Sequence, residues 1–320
     1  MTAVIDLRQP SGTAFALRDP LPWPAFAGLA RDGEALGYAG VFLPEISGRD
    51  ALVALGALAG ETRHLLLATG IVPMGSRTPM LTAMAAAAVH ERSGGRLLLG
   101  LGTGPAVSGA LDRLRDLVGA LRRLFAGEAV EVDGRTHQLT LVPAAPVPIW
   151  IAALGPRAVR LAGELADGVL LNWCAPERVQ AARTELVAGA ERAGRGPADV
   201  TVAVYVRACM VDDGASAMRA LQAAAGEYAS YPAYARQFAS IGLEADAGAA
   251  AAAHRAGHPE DVPEALVRAV CLSGDPVVAR ERLEAFREAG ADLPVVYPVA
   301  ARDDLAGSVR STLERLAPRD

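Results

Sequence analysis

The chain contains no lysine; all of its basic residues are arginines. That absence excludes Schiff-base chemistry and a Walker-type phosphate loop, both of which need a lysine amine. Cysteine is scarce. Cys174, Cys209 and Cys271 lie far apart without CxxC spacing, so neither a disulfide framework nor a zinc site is implied, and no metal is expected. This usage suits a reduced, cytoplasmic setting. No apolar run approaches the roughly 20 residues that a membrane-spanning helix needs. The opening MTAVIDLRQPSGTAFALRDP lacks the basic-then-apolar pattern of a signal peptide. A basic stripe is missing too: the formal net charge is −5 and Arg is scattered along helix faces, which argues against a nucleic-acid partner.

What is present is apolar and alternating. Of 320 residues, 52% are hydrophobic, enough for a large core. Short apolar runs predict strands at Thr13–Leu17, Gly40–Leu43, Leu65–Ile71, Arg96–Gly102, Pro148–Ala153, Gly168–Leu171, Val200–Val206 and Asp292–Tyr297. Helical periods fall between most of them, at Pro22–Leu36, Arg49–Ala59, Pro79–Arg92, Pro156–Leu165, Pro176–Ala193 and Pro276–Ala289. Many begin with Pro in or near the first turn, where its missing N–H costs nothing. Strand–helix alternation with eight strands predicts a parallel α/β architecture, specifically a closed (β/α)8 TIM barrel. Gly127–Pro143 alternates and turns at Asp133-Gly134, which predicts a β-hairpin before the fifth barrel strand. Residues 214–269, rich in Ala with Tyr228, Tyr231 and Tyr234, read as a helical insertion between strands seven and eight, and Asp303–Leu316 as a closing helix. No linker composition interrupts the chain, so residues 1–320 are expected to form a single domain.

The segment GRLLLGLGTGP runs from an apolar strand into Gly100, Gly102 and Gly104, the start of a dinucleotide fingerprint. The third glycine of GxGxxG would fall at Pro105, and no acidic residue follows at the required distance, so the match fails. On a barrel these glycines would instead sit on the C-terminal rim, where backbone comes close to a flat ligand.

Three stretches carry a family resemblance. GRDALVALGALAGETRHLLLATGIVPMGSRTP, AAAAVHERSGGRLLLGLGTG and PIWIAALGPRAVRLAGELADGVLLNW together resemble the luciferase-like, flavin-type oxidoreductase superfamily. SRTP, AALGPRAVRLAGE and LLNW are closer to the branch that uses the deazaflavin coenzyme F420 than to the FMN monooxygenases. The resemblance implies a barrel with an insertion after strand seven, commonly a homodimer, with the coenzyme across the C-terminal rim. It implies a bulge with a non-prolyl cis peptide at Gly70–Ile71, and cofactor contacts from Thr69, Gly70, Ile71, Val72, Gly102, Thr103, Asn172 and Trp173. The loop Ala152, Ala153, Leu154, Gly155, Pro156 and Arg157 is implied to meet the coenzyme's phosphate. Helix N-termini favour anions, and here the donors are expected to be the N–H groups of Gly155, Arg157 and Ala158, with the Arg157 side chain adding charge.

Hydride transfer needs no metal and no protein nucleophile, only a pocket that stacks ring on substrate, with one proton donor. Glu45 and Asp19 are the candidate catalytic residues; Glu45 could equally cap a helix or pair with Arg49, and Asp19 could be a turn residue before Pro20. Arg18, Arg207 and Tyr297 complete the ionisable rim. Trp173 reads either as an aromatic wall or as core. His64 and His90 fall at the opposite end of the barrel and His137 on the hairpin, while His254 and His258 belong to the insertion. F420-using relatives generally carry a longer loop after strand four with Trp-His-Gly, which is missing here. The resulting wider mouth admits a small-molecule substrate or a bulkier one such as a peptide. The expected activity is F420-dependent reduction of an activated double bond. An FMN-dependent monooxygenase and a non-catalytic flavin-binding barrel are the alternatives.

Overall fold

A computed structural model describes residues 12–104, 108–132, 134–301 and 304–318. Its strands are β1 (Ala14–Ala16), β2 (Gly40–Pro44), β3 (Leu66–Pro73), β4 (Leu97–Gly102), β5 (Val130–Val132), β6 (Arg135–His137), β7 (Ile149–Ala152), β8 (Gly168–Asn172), β9 (Thr201–Cys209), β10 (Cys271–Ser273) and β11 (Leu293–Pro298). The α-helices are α1 (Trp23–Ala35), α2 (Ala51–Leu58), α3 (Pro79–Arg92), α4 (Ala110–Phe125), α5 (Pro156–Leu165), α6 (Pro176–Arg192), α7 (Gly214–Ala229), α8 (Pro232–Ala239), α9 (Glu244–Ala256), α10 (Glu264–Val270), α11 (Pro276–Glu288) and α12 (Leu305–Arg315).

The strands pair in parallel in the order β1-β2-β3-β4-β7-β8-β9-β11, and β11 pairs back onto β1, so the sheet closes into the expected eight-stranded barrel. Burial explains the sequence pattern. All nine residues of β9 are buried, because a barrel strand is covered by side chains inside and helices outside, and its sequence is therefore apolar without alternation. Each helix buries one stripe: Leu114, Leu117, Val118, Leu121 and Leu124 of α4 recur at helical spacing. Prolines open α3, α5, α6, α8 and α11, while Asp50, Thr78, Asp213, Asp275 and Asp304 cap helices with their side chains.

β5 and β6 form the expected antiparallel hairpin; Asp133 in its turn lies outside the described residues, as do Pro105 of the glycine segment and Asp303 ahead of the closing helix. The insertion is helical but ends in a short strand. β10 adds in parallel to the C-terminal half of β9, pairing Cys271 with Arg207, a strand three residues long that carries no periodic signal. Helices α7 to α10 bury an apolar cluster of their own together with Trp173, which fixes the insertion over the rim between β8 and β9. Burial pushes the Cys174 and Cys271 thiols up to about 12 and Cys209 to about 11, so none of them is a nucleophile at neutral pH.

Helix α5 is pinned with little freedom. A Cβ on Gly163 would overlap the Leu186 carbonyl, and one on Gly189 the Arg160 carbonyl, so α5 and α6 cross with their backbones nearly touching. That crossing sets where the N-terminus of α5 points.

Candidate active site

At the C-terminal end of β3 the ladder is interrupted. Leu43 pairs with Thr69 but Pro44 with Ile71, leaving Gly70 as an extra residue; on the other side the register jumps between Ala68 and Val72. This is the expected bulge. The peptide within it is trans, contrary to expectation: Asp19–Pro20 is the cis bond among the described residues. A hydroxyl closes the bulge instead. Thr69 Oγ1 accepts from Gly100 N at 2.7 Å and donates to Gly100 O at 2.9 Å, standing in for the ladder bonds the bulge displaces. Gly70 faces the barrel axis, where a Cβ would overlap the hydroxyl of Tyr205 from β9.

The glycines after β4 also have an internal cause. A Cβ on Gly100 would overlap the Thr69 carbonyl, and one on Gly102 the Ile71 side chain. Packing against the bulge is thus one internal reason for glycine at both positions. Thr103 follows with its hydroxyl turned to Gly104 O.

Gly155 behaves differently. Its φ of −86° and ψ of 162° suit any residue, and a Cβ there would meet nothing within 4 Å. Neither backbone conformation nor packing demands glycine at this position. Open space lies where the first turn of α5 presents its N–H groups. Ala158 N is not among the free donors, because it bonds Gly155 O at 3.0 Å; the donors left are Gly155 and Arg157. Arg157 is exposed and enters no ion pair among the described residues. Behind it, the loop Ala152–Arg157 is held by Ala153 N to Leu170 O at 3.0 Å. The buried Arg178 of α6 also donates to Leu154 O at 2.8 Å. Arg178 went unrecognised in the sequence, where it looks like any surface arginine of an amphipathic helix.

The strand ends β8, β9 and β11 meet the insertion around Arg207, which is only 3% exposed. Its guanidinium lies 3.7 Å from the Tyr297 ring centroid, 4.9 Å from Trp173, 5.4 Å from Tyr205 and 5.5 Å from Tyr228. Nη1 donates to Asn172 Oδ1 at 2.8 Å, and Asn172 Nδ2 in turn to Tyr234 Oη at 2.8 Å. No carboxylate pairs with Arg207 among the described residues. Trp173 is fully buried and, among the described residues, is the non-glycine residue in the left-handed region, with φ 53°. Such a backbone costs about 1–3 kcal/mol and persists where neighbours impose it. Gln237 of α8 imposes it here, donating to the carbonyls of Asn172 and Trp173, both at 2.7 Å. The wall and core readings of Trp173 thus merge: the indole packs under the insertion and also lines the cavity beside Arg207.

That cavity, about 260 Å³, opens between β1, β9, β11, α7 and α12. Arg18, Asp19 and Pro20 continue it into a second hollow, about 320 Å³, toward Pro44 and Gly48. Among the described residues, Tyr205 Oη and Trp173 Nε1 are buried without a hydrogen-bond partner, and the buried Tyr297 Oη has only the Arg18 guanidinium beside it. Burial raises the pKa of both tyrosines, with Arg207 pulling them partly back, so each hydroxyl keeps its proton.

The two carboxylates are already engaged. Asp19 is ion-paired with Arg49 and accepts from Arg49 N at 2.6 Å. Glu45 Oε2 accepts from Ala51 N at 3.1 Å and lies 3.6 Å from Arg77, while Ser76 donates to Oε1 at 3.3 Å. Glu45 is thus tied to the N-terminus of α2, and its ionic partner is Arg77, not Arg49. His90 is buried at the far end of the barrel, where burial lowers its pKa, and His258 pairs with Glu260 on the surface. In barrel order, the residues expected to hold a cofactor occupy β3, β4, β7 and β8, and the cavity occupies β9, β11 and β1. The two halves touch where Tyr205 meets Gly70.

Comparison with known proteins places the chain in a family and matches its fold. Residues 7–293 match the sequence model of the family described as luciferase-like monooxygenase. The 5,10-methylenetetrahydromethanopterin reductase of Methanolobus tindarius is 33% identical over 225 residues, which is 66% of this chain and 68% of that protein. A putative coenzyme F420-dependent oxidoreductase of Mycobacterium tuberculosis is 26% identical, with 88% of this chain and 94% of the relative covered. Against other curated relatives the chain spans about half of their length. The solved structure of the coenzyme F420-dependent tetrahydromethanopterin reductase from Methanopyrus kandleri superposes with a TM-score of 0.78 at 20% identity, covering 96% of this chain and 99% of that one.

Proposed function

This chain belongs to the luciferase-like monooxygenase family, and from that premise we propose that it is an F420-dependent oxidoreductase acting on a small organic molecule. The observation that carries the reading is Gly155. A glycine that neither fold nor packing requires borders open space at two free helix N–H groups and an unpaired arginine, as an anionic coenzyme needs. F420 supplies a hydride. The chain would supply the rest: Gly155 and Arg157 would hold the coenzyme's phosphate, the Thr69–Val72 bulge would lie behind its ring, and Trp173 would line the substrate space.

The family name alone would also permit FMN and oxygen chemistry, but a relative aligned over most of both chains is named as a putative F420-dependent oxidoreductase. The reaction we favour is reduction of an activated double bond, with a proton delivered to the carbon next to the activating group. The Tyr297 hydroxyl, protonated and on a residue lining the cavity, would hold the activating group, and the proton would come from water admitted at the Arg18 end of the cavity. Glu45 and Asp19, tied up with Arg77 and Arg49, then act as positioning residues for the loops after β2 and β1. A cavity of this size favours a small molecule over a peptide.

Chemically reduced F420 offered with a panel of enones, imines and ketones should be re-oxidised by one of them at a rate independent of oxygen. Oxygen consumption with reduced FMN, without turnover of reduced F420, would point to the monooxygenase; neither reaction would point to the non-catalytic barrel. We also propose a homodimer, because Val53 of α2 and Leu81 and Met84 of α3 expose apolar side chains on neighbouring helices. Sedimentation should give twice the chain mass, and Met84→Glu half of that; a wild-type monomer contradicts the dimer.

A further inference from the structure

Arg207 is a buried cation with no counter-ion among the described residues. Burying a charge without a partner is costly, and structures normally supply one. Four aromatic rings stabilise the guanidinium in part, and Asn172 takes Nη1, but Nε and Nη2 make no hydrogen bond among the described residues. That free edge is the one whose two parallel N–H groups match the two oxygens of a carboxylate. Beside it, the Tyr297 hydroxyl, which has the Arg18 guanidinium next to it, and the Trp173 indole N–H are buried without a hydrogen bond to any other group among the described residues, and both residues line the same cavity. An unspent guanidinium edge, a hydroxyl and an indole N–H in one ring-lined cavity ask for an acceptor that is planar and negatively charged.

We propose that the cavity between β1, β9, β11 and α7 is the substrate's seat and takes a planar organic carboxylate, its carboxylate bound by Arg207 and Tyr297. This deepens the F420 reading and rests on it: the carboxylate would be the group that activates the neighbouring double bond. Arg18 at the cavity entrance adds a second positive charge on the approach path.

Calorimetric titration of the full chain with benzoate, its neutral isostere benzamide and inorganic phosphate tests the assignment. Benzoate should bind at least about tenfold more tightly than benzamide, a difference of about 1.4 kcal/mol. Arg207→Met should erase that preference and Tyr297→Phe should reduce it. Equal binding of benzoate and benzamide, no binding of benzoate, or phosphate bound in preference to benzoate would each overturn the assignment. So would an Arg207→Met variant that keeps the preference. If Arg207→Met does not fold, the wild-type comparison and Tyr297→Phe decide. F420 is titrated into the same preparation. Benzoate preference without F420 binding retains the anion seat and removes the coenzyme reading; F420 binding without benzoate preference does the reverse.

Discussion

Gly70→Ala should cost about 1–3 kcal/mol of stability, as overpacking does in a filled core, and should weaken F420 binding by more than about tenfold. The cause is steric and local. The new methyl group would occupy the position of the Tyr205 hydroxyl, and Tyr205 has little room to withdraw, because its ring is packed 5.0 Å from Tyr297 and 6.1 Å from Phe42. The strain would pass instead to the bulge, which two bonds between Thr69 and Gly100 hold in register. Tyr205→Phe removes the atom in conflict, so the double variant should recover part of both losses. Coupling between residues in contact runs to about 0.5–3 kcal/mol. Additive losses, measured by denaturant unfolding and coenzyme titration, would show that Gly70 and Tyr205 do not meet as described.

Gly155→Asp should separate stability from binding in opposite directions. Asp is at least as good a helix N-cap as Gly, with a difference of a few tenths of a kcal/mol, and the backbone at Gly155 accepts any side chain. The variant should therefore melt no lower than wild type. Coenzyme affinity should nevertheless fall by about tenfold or more, because the N-cap carboxylate would take the Arg157 N–H and repel a phosphate. Gly155→Ala, which adds a methyl group to open space, tests the crowding part alone. Loss of stability with unchanged affinity in Gly155→Asp would make this an ordinary helix start.

The barrel was legible because each strand is a short uninterrupted apolar run and many of the helices announce themselves with proline. The loop at Gly155 was legible for the same reason, since one helix start follows directly on one strand end. Residues whose roles depend on distant segments meeting were harder to read. Arg207 could be placed on the rim from its strand, but its ring cage needs Trp173 from β8, Tyr228 from α7 and Tyr297 from β11 to converge. Strand β10 is too short for a periodic signal, and Gln237 looks like any polar residue of a helix until the strained turn at Trp173 gives it two carbonyls to hold. For Gly100 and Gly102 the sequence showed the rim position but not the neighbour that packs against them, the bulge of β3.

On this reading, the rim binds a deazaflavin at the N-terminus of α5. Equilibrium titration of the wild-type chain with F420 and, separately, with FMN tests it most directly, followed by fluorescence of the tryptophans and repeated on Gly155→Asp. The account predicts saturable, micromolar F420 binding, weaker FMN binding, and loss of the F420 signal in the variant. Tight FMN binding with none for F420 would contradict it.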